Sequence, residues 1–199
     1  MRMLALYRGM GMWVGGAALV LSIQPAAFGQ QFQDQTAARF PADPLEYTNQ
    51  CTVGDLDNDG DLDIVWANGA GYNTASPPQR LRIYKNNGTG TFTDASVAST
   101  GGLTFRARGA ELGDVEGDGD LDIIVAQDFN GQPSLLINQG PGAGLGTFLN
   151  ETATRLPIGT FSSTRAQFAD VDNDGDLDLY LTNGGAVNRF GTGRGKLRL

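Results

Sequence analysis

The chain contains no histidine. That removes histidine triads, histidine general bases and most zinc sites, because imidazole is the usual base near neutral pH and a common zinc ligand. There is one cysteine, Cys51, so an intrachain disulfide cannot form. The 14 basic residues form no run or stripe, which argues against a nucleic-acid footprint. The main apolar run, Trp13 to Ile23, is about 11 residues long, short of the ~20 needed to cross a bilayer. After residue 29 no segment carries a helical period. The glycine-rich stretch Gly140 to Gly146 lacks the Lys-Ser/Thr ending of a phosphate loop and reads as a turn.

What is abundant is acid in one pattern. Asp55-Leu56-Asp57-Asn58-Asp59-Gly60-Asp61-Leu62-Asp63 returns as Asp114-Val115-Glu116-Gly117-Asp118-Gly119-Asp120-Leu121-Asp122, and again as Asp170-Val171-Asp172-Asn173-Asp174-Gly175-Asp176-Leu177-Asp178. Acids occupy positions 1, 3, 5, 7 and 9, glycine position 6, and apolar residues positions 2 and 8. These loops hold 15 of the 22 acids, so the formal charge of −8 is local to them; the remaining 7 acids face 14 bases. Three bound divalent ions would bring −8 to −2.

Two like charges ~4 Å apart cost about 1 kcal/mol in water and about 4 at an effective dielectric of 20. A cation should therefore sit among the acids. A hard ion taking six to eight oxygens fits best, so about three Ca2+ sites are expected. Glycine at position 6 permits the sharp bend that wraps the chain around an ion. The apolar positions Leu56, Val115 and Val171, and Leu62, Leu121 and Leu177, are expected to anchor each loop to a core. By analogy with other calcium loops, position 7 ligates through its backbone carbonyl. The side chains of Asp61, Asp120 and Asp176 are thus weaker ligands than those at positions 1, 3, 5 and 9. The loop is not an EF-hand, because position 12 is Trp66, Val125 or Leu181 rather than Glu, and strand-like runs follow each loop.

Residues 1–29 read as a secretory signal: Arg2 and Arg8, then the apolar run, then the small-x-small site Ala27-Phe28-Gly29. Residues 30–199 form the repeat region, and the expected location is secreted, periplasmic or cell-surface, with no membrane span after cleavage.

The repeat is larger than the loop. Asp55 and Asp114 stand 59 residues apart, Asp114 and Asp170 stand 56 apart, and Phe92 and Phe148 repeat the step of 56. One strand enters each loop and a second leaves it (Leu62 to Ala67, Leu121 to Ala126, Leu177 to Thr182). A third follows (Leu81 to Lys85, Ser134 to Ile137), then a Gly-rich hairpin, then a fourth strand from Phe92 or Phe148. Four short strands per unit at this period describe a β-propeller blade. The fold class is all-β: about two complete four-stranded antiparallel blades, one incomplete blade and an N-terminal closing strand, Phe32 to Pro41. The third unit lacks an Asn-Gly hairpin and a closing Phe. From about residue 186 the tail is degenerate, as expected of a truncated or frame-shifted reading frame. Cys51 aligns with Ala110 and Ala166, and Val53 with Leu112 and Phe168, so Cys51 is expected to be a small buried strand residue.

These motifs resemble the FG-GAP/VCBS repeat family of calcium-binding β-propellers, of the integrin α-head type. The bacterial and cartilage-acidic-protein-like group matches best, with a Phe-x-Asp-x-Thr-x-x-Ala segment ahead of each acidic loop. The resemblance covers about residues 31–190. It implies that the loop joins the first two strands of each blade on one face of a ring, and that rings have about seven blades. The expected function is a secreted, non-catalytic protein with Ca2+ stabilising a propeller used for adhesion or protein interaction. A carbohydrate-binding surface is the alternative, with Tyr72 and Phe129 as candidate contacts. A fragment of a polysaccharide lyase or phospholipase-type enzyme is less favoured, because no catalytic set stands apart from the loops. The expected partners are calcium and an extracellular protein or glycan.

Overall fold

The computed structural model describes residues 32–42, 45–69, 71, 73–144, 146–183 and 197–198. The expected leader, Tyr72 and most of the tail beyond residue 183 lie outside them. The chain divides into a unit Met1–Asp34, of which residues 32–34 are described and carry no strand, and a unit Gln35–Leu199, which holds every element below.

The elements run α1 (Thr36–Arg39), β1 (Thr48–Gly54), β2 (Asp63–Asn68), β3 (Gln79–Arg80), β4 (Arg82–Asn86), β5 (Phe92–Asp94), α2 (Ser96–Thr100), β6 (Thr104–Phe105), β7 (Ala107–Gly113) and β8 (Asp122–Gln127). There follow β9 (Ser134–Asn138), α3 (Gly140–Ala143), β10 (Phe148–Asn150), α4 (Thr152–Arg155), β11 (Ser163–Ala169), β12 (Asp178–Asn183) and β13 (Leu197–Arg198). Strands β1, β2, β4 and β5 form one four-stranded sheet, and β7, β8, β9 and β10 a second. Strands β11, β12 and β13 form a third, and β3 pairs with β6. All strand pairs are antiparallel. This is the expected blade series, with the third blade incomplete among the described residues.

Two details correct the reading from sequence. The segment expected to close a ring as a strand forms only the single turn α1, because a strand exists by its ladder and no third strand precedes it among the described residues. The apparent absence of helix also fails. Four one-turn helices occur, too short to show a 3.6-residue period.

The Phe-x-Asp-x-Ser/Thr segment has a local cause. Asp94 accepts from the N–H and hydroxyl of Ser96 at 2.9 and 2.5 Å, and Asn150 does the same for Thr152 at 3.1 and 2.6 Å. Each hydroxyl then accepts a third-strand N–H: Ile83 to Ser96 and Leu135 to Thr152, both at 3.0 Å. The motif thereby starts α2 or α4 and satisfies a donor at the sheet edge.

The core lies between sheets. One cluster joins Leu56, Val65, Leu81 and Ile83 of the first sheet to Ala110, Ile123, Val125, Leu136 and Phe148 of the second. The other joins Ile124, Leu135, Ile137 and Leu156 to Ala166, Phe168 and Leu179 of the third. Strand β8 alternates between them, with Ile123 and Val125 on one side and Ile124 and Ala126 on the other, as a strand buried on both faces must. The sheets approach closely where β1 and β7 end. A Cβ on Gly54 would stand 2.6 Å from Leu112 Cδ1, and one on Gly113 2.6 Å from Phe168 Cδ2.

The remaining face of the first sheet carries an aromatic group absent from the expectations above. Phe40 stacks on Phe92 and Trp66, at 4.6 and 5.9 Å between centroids, and meets Tyr84 edge-on at 5.4 Å. Beside it the buried Arg82 guanidinium is held by Glu46 and Asp94, each at 2.8 Å.

Cys51 is exposed, contrary to expectation. Its counterparts Ala110 and Ala166 are buried because each faces the preceding sheet. The first sheet has no predecessor among the described residues.

Candidate metal centre

Each acidic loop joins the first strand of its sheet to the second, at one end of the sheets. The backbone inside it is set by two left-handed positions. Glycines at position 6 have φ of 91, 92 and 93° at Gly60, Gly119 and Gly175. Position 4 is left-handed too, at Asn58 (55°), Gly117 (73°) and Asn173 (56°). Asn and Gly are the residues that tolerate this region, so position 4 carries a sequence signal for the turn in addition to the glycine at position 6.

The acids divide into distinct roles. Position 1 organises the turn: Asp55 accepts from the N–H of Asp59 at 3.1 Å and of Gly60 at 2.9 Å. Asp114 accepts from Gly117, Asp118 and Gly119 at 2.7, 3.1 and 2.9 Å, and Asp170 from Asp174 and Gly175 at 3.2 and 3.0 Å. Position 5 repeats this two residues on, with Asp59, Asp118 and Asp174 accepting from Asp61, Asp120 and Asp176 at 2.9, 3.0 and 3.2 Å.

Position 9 is a buried staple. Asp63 accepts from Leu56 N–H at 3.1 Å and Asn86 N–H at 2.8 Å, and Asp122 from Val115 at 2.9 Å and Asn138 at 2.8 Å. Asp178 accepts from Val171 at 3.3 Å. One carboxylate thus ties the loop to the end of the third strand. Burial pushes the Asp122 carboxyl up to about 6, against its two hydrogen bonds and with the help of Glu116 and Asp118. Asp63 is raised for the same reason, burial first, with Asp57 and Asp59 adding to it.

Position 3 decides whether a loop converges. Oxygens of Asp55, Asp57 and Asp63 lie within 4.8 Å of one another, as do oxygens of Asp170, Asp172 and Asp174. Two oxygens bound to one ion at about 2.4 Å can stand no more than about 4.8 Å apart, so both sets are compatible with a shared cation. Among the described residues the second loop forms no such set. Its position 3 is the longer Glu116, and that carboxylate turns away to pair with Arg155, which also holds Glu151 at 2.5 Å. In the first loop Asp57 Oδ2 meets Lys85 Nζ at 3.0 Å, while Asp57 Oδ1 is buried with no hydrogen-bond partner. A buried carboxylate oxygen left unpaired is costly, so this atom fits a ligand that is itself a cation. The hard all-oxygen donor set suits Ca2+.

Position 7 turns elsewhere in the second loop. Asp120 is buried and accepts from Asn58 Nδ2 of the first loop at 2.5 Å. Asn138 adds a second link between the loops, donating to the carbonyls of Leu56 at 3.0 Å and Leu121 at 3.2 Å. These links join residues 62 and 82 apart in sequence, which periodicity cannot reveal.

The apolar anchors are directional. Position 2 packs toward the following sheet: Leu56 is 1 % exposed and Val115 packs on the second cluster, but Val171 is 49 % exposed. Position 8 packs toward the preceding sheet: Leu121 and Leu177 are packed, but Leu62 is 58 % exposed. The expectation that every loop is anchored at both positions therefore fails at the two ends, where a neighbouring sheet is lacking among the described residues.

Phe129, named as a glycan contact, lies half-buried at φ 54° with the Arg108 guanidinium 5.9 Å from its ring centre. Arg108 is also fixed by Asp128 and the Gly71 carbonyl, each at 2.8 Å.

A family model described as FG-GAP-like repeat matches residues 55–125 and again residues 114–181. No curated protein matches the chain.

Proposed function

The chain belongs to the FG-GAP-like repeat family, and from that premise we propose that it is a secreted, calcium-loaded propeller segment of the integrin-like type, without catalytic activity. Asp55, Asp57 and Asp63 hold one ion, and Asp170, Asp172 and Asp174 another. Asp59 and Asp178 complement these two sets, and Asp114, Asp118 and Asp122 are the carboxylates left to the second loop, whose Glu116 is paired with Arg155 instead. Asp61, Asp120 and Asp176 stand in supporting positions. When bound, Ca2+ supplies positive charge that cancels carboxylate repulsion. The residues do the rest: positions 1 and 5 shape the turn, and position 9 ties it to the third strand. The family setting we read is the bacterial, cartilage-acidic-protein-like group, and the role is adhesion or protein interaction outside the cell. Residues 1–29 act as the export signal and 30–199 as the repeat region.

The observation that carries the metal reading is the unpaired, buried Oδ1 of Asp57, an acid whose carboxylate belongs to a set with oxygens close enough to share an ion. Calcium titration calorimetry and thermal unfolding test it. Binding with a melting temperature that rises with Ca2+ is expected, and identical unfolding in saturating Ca2+ and in excess chelator would refute it.

A further inference from the structure

We propose that copies of this chain associate head to tail, the outer side of the third sheet in one copy covering the open corner of the first sheet in the next. The chain builds this interface twice already. Between the first and second sheets Leu56 meets the side that presents Leu112 and Leu121, and between the second and third Val115 meets the side that presents Phe168 and Leu177. Each is one half from position 2 of a loop and one half from position 8 of the next, with the strand residue two places before that next loop. Both halves of a third instance are exposed. The first sheet presents Val53 and Leu62, and the third sheet presents Val171 and Tyr180.

The exposed residues occupy corresponding places. On the first sheet the outer strands β4 and β5 are covered by Phe40 and the Glu46–Arg82 pair, leaving the corner around Cys51, Val53 and Leu62. The third sheet among the described residues consists of the inner strands β11 and β12 with the two-residue β13. Those inner strands and the loop between them carry Val171 and Tyr180, the counterparts of the residues that meet the corresponding corner inside the chain.

The steric match is specific. Gly54 receives Leu112, and Gly113 receives Phe168, each with no room for a Cβ. The same position in the third sheet is Ala169, and its counterpart across a head-to-tail contact is Val53, smaller than Leu or Phe. The methyl group gained on one side is offset by the one lost on the other, a volume-conserving exchange that packed contacts tolerate. The polar row is compatible too. Gln167 donates to Glu111 at 3.1 Å inside the chain, and across the new contact it would face the neutral Thr52, while the exposed Arg165 stands where Gln50 donates to the Ala110 carbonyl at 3.1 Å and can donate in the same way. The contact is heterologous, so it propagates into a ring or an open filament.

Sedimentation velocity of the chain in saturating Ca2+, across a concentration series, tests this. Mass should grow with concentration, and reaction of Cys51 with a maleimide should slow severalfold as it does, because the buried counterparts of Cys51 show what covers that position. Val53→Asp spoils one face and Tyr180→Asp the other; both residues are exposed, so both variants should fold. Each alone should stay monomeric, and a mixture should form a dimer and stop there. A chain that is monomeric at every concentration overturns the proposal. So does a variant pair in which only one substitution matters, or whose mixture does not associate.

Discussion

The carboxylate of Asp122 accepts the backbone N–H of Asn138 at 2.8 Å while its other oxygen accepts that of Val115 at 2.9 Å. One buried side chain thereby closes both the loop and the third strand. Asp122→Ala orphans one buried donor, Asn138 N–H, and one partly buried donor, Val115 N–H, each worth about 1–3 kcal/mol when unsatisfied. Urea unfolding should show a loss of about 2–4 kcal/mol, and Asp122→Asn, which keeps one acceptor, should lose about half of that.

The same burial gives a pH dependence. In the folded chain Asp122 titrates at about 6, whereas an ordinary Asp titrates at 3.8. Between those values the folded state binds more protons than the unfolded one, so its stability falls as pH rises through the window. Asp63, also raised, acts in the same direction. At Asp94, burial is outweighed by hydrogen bonds from Ser96 and the Arg82 charge. Its carboxyl is held below the ordinary value, so its contribution is lost only below the window. In chelator, the urea midpoint should drop between about pH 4 and pH 6.5, and Asp122→Asn should flatten the drop. Saturating Ca2+, which favours ionised carboxylates, should reverse the slope.

Lys85 Nζ stands 3.0 Å from Asp57 Oδ2, on the acid whose other oxygen is unpaired. An ammonium there competes with a divalent ion for the same carboxylate. Both side chains are partly exposed, so the competition is screened. Lys85→Met should tighten the first loop's calcium site by about 3- to 10-fold, a difference of about 1 kcal/mol. Titration calorimetry against the unmodified chain reads this directly, and an unchanged affinity would place the ion away from Asp57.

Much of this was legible in one sequence because the repeat writes the same instruction three times. The loops, the strands leaving them and the blade order all follow from acids at odd positions beside β-branched runs, and observed strand bounds such as Asp122–Gln127 differ from the expected Leu121 to Ala126 by one residue. What periodicity missed depends on neighbours. Cys51 occupies an inward strand position yet is exposed, since burial there is conferred by a preceding sheet. Glu116 fits the acid pattern, but Arg155, 39 residues away, draws it out of the loop. The stack of Phe40 on Trp66 and Phe92 joins residues from separate units of the repeat. Each of these is a tertiary contact between segments that carry no shared local signal.

Close approach of the sheets yields the sharpest steric test. A Cβ at Gly113 would lie 2.6 Å from Phe168 Cδ2, 3.1 Å from Phe168 Cγ and 3.2 Å from Leu177 Cδ1. Phe168 is a buried ring in the second cluster and has little room to withdraw. Gly113→Ala should therefore cost about 1–3 kcal/mol, the usual penalty for overpacking a filled core. Loss of glycine's backbone freedom in the unfolded chain acts the other way by less than about 1 kcal/mol, so the net change is destabilising. Phe168→Leu in the Gly113→Ala background should recover part of that loss, because it removes the ring atoms that clash. Two positions locate the cause. Ala169→Gly, at the equivalent site with no following sheet among the described residues, should change stability by no more than about 1 kcal/mol. If Ala169→Gly raised the urea midpoint by as much as Gly113→Ala lowered it, the glycine would be serving backbone conformation rather than the seat of Phe168.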